Sequence, residues 1–193
     1  MLRNTQNKQI TNYLHVSSGS FVLSEDEKIR FNSITGAVSG IKLKTHKRSD
    51  GGEFDLWHLT VTDEQSGEIN DISFSRTSNV LSSIVRSLAS DSGLQSLENV
   101  QICVSTAPNN SKFTNAKVRT NGHGLSWIPG DMPPMLYKRD GKSHVQDDSL
   151  RFEWLSNLID LINRKIASGN AVVYENTEFY NETEEGDAYD DEL

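Results

Sequence analysis

The chain has 193 residues, 35% of them hydrophobic and 24% charged, which suits one packed domain with a tail and argues against a wholly disordered chain. One cysteine, Cys103, excludes an internal disulfide framework, and five scattered histidines show no zinc-ligand spacing, so no metal or cofactor is implied. The net charge of −8 is unevenly spread: nine acidic and no basic residues lie between Glu175 and Leu193, which leaves 18 acidic and 19 basic residues before them, net +1.

That asymmetry points to a body that meets a polyanion and a tail that recruits or regulates. No apolar run is long enough to cross a bilayer. The N-terminus lacks the basic-then-apolar pattern of a signal peptide, so a cytoplasmic protein without membrane attachment is expected.

In chain order, residues 1–27 read as a polar arm followed by short strands around Tyr13, Leu14, Val16 and the run Phe21-Val22-Leu23. Residues 31–45 form one long β-branched strand containing Gly36 and Gly40, glycines that mark bulges or sharp bends. Residues 53–63 and 68–75 are two further strands separated by the Ser66-Gly67 turn. The period then changes. Val80, Leu81, Ile84, Val85 and Leu88 recur at helical spacing, with Thr77 or Ser78 placed as N-cap. Strands at 100–106 and 112–120 follow, joined by a Pro108-Asn109-Asn110 turn. Five strands with a helix between the third and fourth match the order of a five-stranded oligonucleotide-binding (OB) barrel, and a sandwich is the other arrangement of the same elements. The fold expected is therefore mainly β: an OB domain at 28–128, closed as a barrel by its long bent strand.

Residues 129–146 read as a loop wrapping this body. Residues 147–167 form an amphipathic helix with Trp154, Leu155, Leu158, Leu161, Ile162 and Ile166 on one stripe. Such a helix must dock, either on its own domain (giving a 129–169 unit of loop and helix) or on a second copy in a homo-oligomer. Residues 170–193 lack the apolar side chains to fold and are expected to form a disordered acidic tail.

The first long strand and its flanks carry Lys28, Arg30, Lys42, Lys44, Lys47 and Arg48 without one acidic residue. The fifth strand places Phe113 on the same alternating face as Asn115, Lys117 and Arg119. A ring beside cations on one strand suits a single nucleic-acid strand, since cations meet phosphates and a ring stacks on any base. Trp57, Phe74 and Arg76 are further candidates, although period-two alternation leaves both Trp57 and Phe74 open as core residues. Lys138-Arg139-Asp140-Gly141 matches the K-x-D-G string of nucleotidyltransferases, but too few residues follow for their nucleotide-binding domain. No nucleophile–base pair or phosphate loop stands beside it, so no enzymatic activity is expected.

Taken together, the strand order, the basic strands and the acidic tail resemble single-stranded DNA-binding proteins of the OB type, particularly those of bacteriophages. Trp57-His58 lies where bacterial members carry a Trp-His pair whose tryptophan stacks on DNA. Leu125-Ser126-Trp127 and the helix start Asp147-Asp148-Ser149-Leu150-Arg151 are similar to phage members, and the likeness covers residues 28–193. The bacterial tail ends in Pro-Phe and docks on replication and repair proteins. Here Tyr189-Asp190-Asp191-Glu192-Leu193 keeps the acid-plus-apolar chemistry with a different end. The resemblance implies a sequence-independent binder of single-stranded DNA in replication, recombination or repair, located in the host cytoplasm if phage-encoded. A protein-binding adaptor and an RNA-binding protein are the alternatives.

A coil of the tail's 24 residues spans about 25–30 Å by the square-root rule, enough to cross a small domain. Its nine carboxylates would then compete with DNA for the basic body until salt screens them, at a Debye length of about 10 Å near 0.1 M. Deleting residues 175–193 is expected to tighten single-strand binding at low salt and to change it little at high salt. Weaker binding by the truncated chain at low salt, read by anisotropy of a labelled oligonucleotide, would rule out competition.

Overall fold

The computed structural model describes residues 10–170 except 109, 135, 141 and 142, and omits the side chains of 110–112, 139, 140, 143–146 and 170. The expected acidic tail, with Tyr189 to Leu193, lies outside the described residues. In chain order the elements are β1 (Thr11–Ser17), β2 (Ser20–Leu23), β3 (Arg30–Phe31), β4 (Ser33–Lys47), β5 (Glu53–Thr62), β6 (Ile69–Ser75), α1 (Asn79–Leu88), α2 (Asp91–Leu94), β7 (Val100–Ala107), β8 (Asn110–Thr120), β9 (His123–Gly124), β10 (Leu136–Asp140), β11 (Ser143–Asp147) and α3 (Ser149–Lys165).

Nine strands form one open mixed sheet in the order β3-β2-β1-β6-β5-β4-β7-β8-β9, and β10 and β11 form a separate hairpin. This corrects the expected five-stranded OB barrel. A barrel would need the last long strand to pair back onto the third, but both edges of β6 are occupied, by β5 on one side and by β1 in parallel on the other. The ladder instead ends at β3 and β9. Among the described residues β8 pairs with β7 and, near its end, with β9, while α1 packs along it. The turn between β1 and β2 meets β8 through Gly19 N–H, which donates to Thr114 Oγ1 at 3.0 Å. The segment 129–146, expected as a loop, contains the β10–β11 hairpin.

β4 has two sets of neighbours. Ser33 to Gly36 pair with β7, whereas Ala37 to Lys47 pair with β5, and the register slips between Val38 and Gly40. Gly36 marks the changeover. Its φ is +153°, and a Cβ there would stand 2.2 Å from the Thr62 carbonyl oxygen, so a side chain would push β4 off β5.

The helical spacing at 80–88 forms α1, capped by the Ser78 side chain accepting from Leu81 N–H. Leu81, Ile84, Val85 and Leu88 are fully buried. On α3 the buried face is Leu155, Ile159 and Ile162, with Ile166 just beyond; Leu161, expected on that face, is exposed. α3 docks on β4. Past Gly40 the second edge of β4 has no strand beside it, and Asn163 takes the place of one. Its Oδ1 accepts from Ile41 N–H at 3.0 Å and its Nδ2 donates to Ile41 C=O at 2.8 Å.

Replacing Asn163 with Leu removes both bonds and leaves a buried strand edge unsatisfied, which costs about 1–3 kcal/mol. The Asn163→Leu protein is expected to unfold at a lower urea midpoint with its slope retained. An unchanged midpoint would show that water replaces the amide without cost.

Candidate nucleic-acid interface

The face expected on β8 is present. Ala116 and Val118 turn inward and are buried, while Phe113, Asn115, Lys117 and Arg119 alternate with them on the solvent side, Phe113 60% exposed. Pairing with β7 continues this surface across the sheet, in the rows Ser33–Cys103–Lys117 and Thr35–Gln101–Arg119. Because no strand follows β8 along most of its length, its edge faces α1, and two hollows lie in sequence along that seam. The larger, about 730 Å³, is lined by Ser83 and Ser87 of α1, by 115–119 of β8, and by Gly122, Gly124, Leu125 and Trp127. The second, about 550 Å³, is lined by Ser78, Asn79 and Val80 at the start of α1, by Phe113 and Thr114, and by residues of β1, β5 and β6. Among the described residues no carboxylate lines either hollow, whereas two other hollows carry Asp160 and the pair Asp63 and Glu64.

The other expected residues are dispersed. Trp57 and Phe74 are core side chains, 5% and 4% exposed, so neither offers an open ring face to a base. Trp57 pairs with Phe74 across β5 and β6 and stands 5.7 Å from Phe152 of α3. The inward face wins at Trp57 because it also carries Leu59, Val61, Ile72 and Phe74. Arg76 is likewise engaged by α3: its guanidinium lies 3.9 Å from the Phe152 ring centroid, and its Nε is 3.4 Å from Asp148 Oδ2. Lys42, Lys44 and Lys47 are exposed on β4 and Arg48 follows them, its guanidinium 5.4 Å from the Phe54 centroid. Lys42 lies seven residues beyond Thr35, whose row ends at Arg119. That is roughly 20 Å along a strand, so the cations of β4 stand apart from Lys117 and Arg119. Lys138 of the K-x-D-G string sits in the β10–β11 hairpin, its Nζ 2.5 Å from Asp147 Oδ2. That contact, with hydrogen bonds from Ser149, lowers the Asp147 carboxyl pKa to about 2.

Two groupings escape sequence reading. One is Trp127, 52% exposed, with the Arg86 guanidinium 4.5 Å from its ring centroid; 41 positions separate the two, and no local pattern links them. The other is a polar chain on the outer face of β4, β5 and β6. His58 and Asp71 are each 7% exposed, and His58 Nδ1 donates to Asp71 Oδ1 at 2.7 Å. Lys44 Nζ holds the other oxygen at 2.9 Å. His58 Nε2 faces His46 Nε2 at 2.9 Å, so one ring donates to the other. The ring centroids are 5.1 Å apart, which is the nitrogen separation plus a ring radius at each end, so the rings meet head-on. Charges explain the arrangement: burial acts to raise the Asp71 pKa, but the bonds from His58 and Lys44 outweigh it and hold the carboxyl ionised. Among the described residues no group of three or more His, Cys, Asp or Glu converges as a metal site, and no helix there is long and apolar enough to cross a membrane.

No family model, no curated protein and no solved structure matches this chain.

The His46 pKa is lowered, first by burial and then by the neighbouring His58 and Lys44 charges, with Asp71 opposing them. The folded chain then binds fewer protons at His46 than the unfolded chain, so stability falls as pH drops below about 6.5. Asp71, also lowered, contributes stability that persists to more acid pH and is lost only as pH falls through its folded value. The thermal midpoint is expected to decrease from pH 7.5 to 5.5, and His46→Gln to flatten that decrease. A midpoint equally pH-dependent in both proteins would assign the effect elsewhere.

Proposed function

We propose that this protein binds single-stranded DNA without sequence preference and without catalysing a reaction, in the service of replication, recombination or repair. The observation that carries the reading is the carboxylate-free seam between α1 and β8, along which Phe113, Lys117 and Arg119 lie exposed. Lys117 and Arg119 supply the charge that phosphates meet, and Phe113 supplies a ring that stacks on a base of any identity. An unpaired base reaches such a ring, whereas a base stacked inside a duplex does not, so the surface favours single strands. The polar lining of serines, threonine and asparagines adds hydrogen-bonding groups without a fixed base code. Lys42 is exposed on one face of β4 and Lys47 on the other, with Arg48 just beyond the strand, and these cations are suited to a strand that runs beyond the seam. Trp57 and Arg76 do not line this surface, and Phe74 touches the second hollow only as a buried side chain. The charge of the tail supports the competition described above, and its Tyr189-Asp190-Asp191-Glu192-Leu193 end supports docking on replication or recombination proteins.

If the seam carries the phosphates, log K falls with log salt at about 0.7 per phosphate neutralised, and replacing Lys117 and Arg119 by alanine flattens the slope by about 1.4. The measurement is a titration with oligo-dT from 50 to roughly 300 mM salt, against a duplex and an RNA of matched length. An unchanged slope in the double variant would remove β8 from the DNA path. Equal affinity for duplex would remove the stacking contribution, and preference for RNA would replace the ligand.

A further inference from the structure

We infer that Trp127, braced by Arg86, is the principal base-stacking platform, taking an unpaired nucleobase at the Arg119 end of the seam; this rests on the single-strand reading above. A half-exposed indole on a connecting segment is normally free to turn, yet this one is fixed from both sides. Leu125 N–H donates to Val118 C=O of β8 at 2.8 Å, and Ile128 N–H donates to Arg86 C=O of α1 at 3.2 Å, so the segment is pinned two residues before the ring and one after it. Arg86 reaches back to donate to Gly130 C=O at 2.6 Å and Ile128 C=O at 3.4 Å, which sets its guanidinium 4.5 Å from the indole centroid. A cation held over the ring fixes the indole through its π face and lets a base stack without first ordering the side chain.

The chemistry beside the ring agrees with a nucleotide. Trp127 shares its hollow with Lys117 and Arg119, and among the described residues no acidic side chain lines it. A base on the indole thus places its phosphates beside two cations. Phe113 lies six residues along β8 from Arg119, roughly 20 Å, and marks the other end of the same path. The other two tryptophans do not compete for the role: Trp57 is core and Trp154 packs partly buried against it.

The test uses the full chain and oligo-dT, reading both tryptophan emission and the anisotropy of a labelled strand. Emission is expected to fall on binding. Trp127→Phe should remove most of that fall while keeping affinity within about threefold, because a ring remains. Trp127→Ala should weaken binding about tenfold or more. Arg86→Gln, which keeps the indole and removes its brace, should weaken it about two- to fivefold. Should Trp127→Ala fold poorly by circular dichroism, the Phe and Gln variants decide. Quenching that survives Trp127→Phe, or affinity unchanged by Arg86→Gln together with a folded Trp127→Ala, would overturn the platform and leave the single-strand reading intact. A wild-type anisotropy that does not rise at low salt would overturn both.

Discussion

A strand that must serve two sets of neighbours organises this molecule. β4 gives its first four residues to β7 and the rest to β5, and the backbone turns from one to the other at Gly36, where a Cβ would collide with the Thr62 carbonyl. The changeover strips the second half of β4 of a partner on its far edge. Buried peptide groups cannot be left unpaired at small cost, and the Asn163 amide meets both groups of Ile41. The position of α3 follows from that contact. From there its first turns reach β5 and β6, where Phe152 covers Trp57 and stacks beneath Arg76.

The same arrangement decides which cations remain available. Arg76 is drawn into α3 and Lys44 into the buried carboxylate of Asp71, so each has a protein partner before any ligand arrives. Lys117 and Arg119 stand on β8, which has a helix rather than another strand beside most of its second edge among the described residues. The two hollows along that seam are lined by no carboxylate among the described residues. The seam exists because β1 occupies the edge of β6 that a returning strand would otherwise take.

The polar chain from Lys44 through Asp71 and His58 to His46 performs different work. Each member satisfies the next, which is the condition for burying an ionised carboxylate and an imidazole on the outer face of a sheet. It ties β4, β5 and β6 together by side chains as well as by backbone bonds. Because the His46 pKa is lowered, that face loses stability as His46 takes up a proton.

Local signals in the sequence determined the elements. Alternation marked β5, β6, β7 and β8, helical spacing with a serine cap marked α1, and Gly36 marked the bend in β4, because each depends on residues a few positions apart. The exposed row on β8 was legible for the same reason: Ala116 and Val118 are apolar, and the residues alternating with them are not. Tertiary structure alone decided whether the sheet closes, since that depends on the parallel pairing of β1 with β6 across more than fifty residues. It also decided which ring meets water. Trp57 has apolar neighbours on both faces of its strand and is buried by the core cluster together with Phe152 of α3, while Trp127 acquires its braced position from Arg86, 41 residues away. Sequence period records which side of an element a residue occupies, but the partner that covers that side is chosen by long-range packing, which no local spacing encodes.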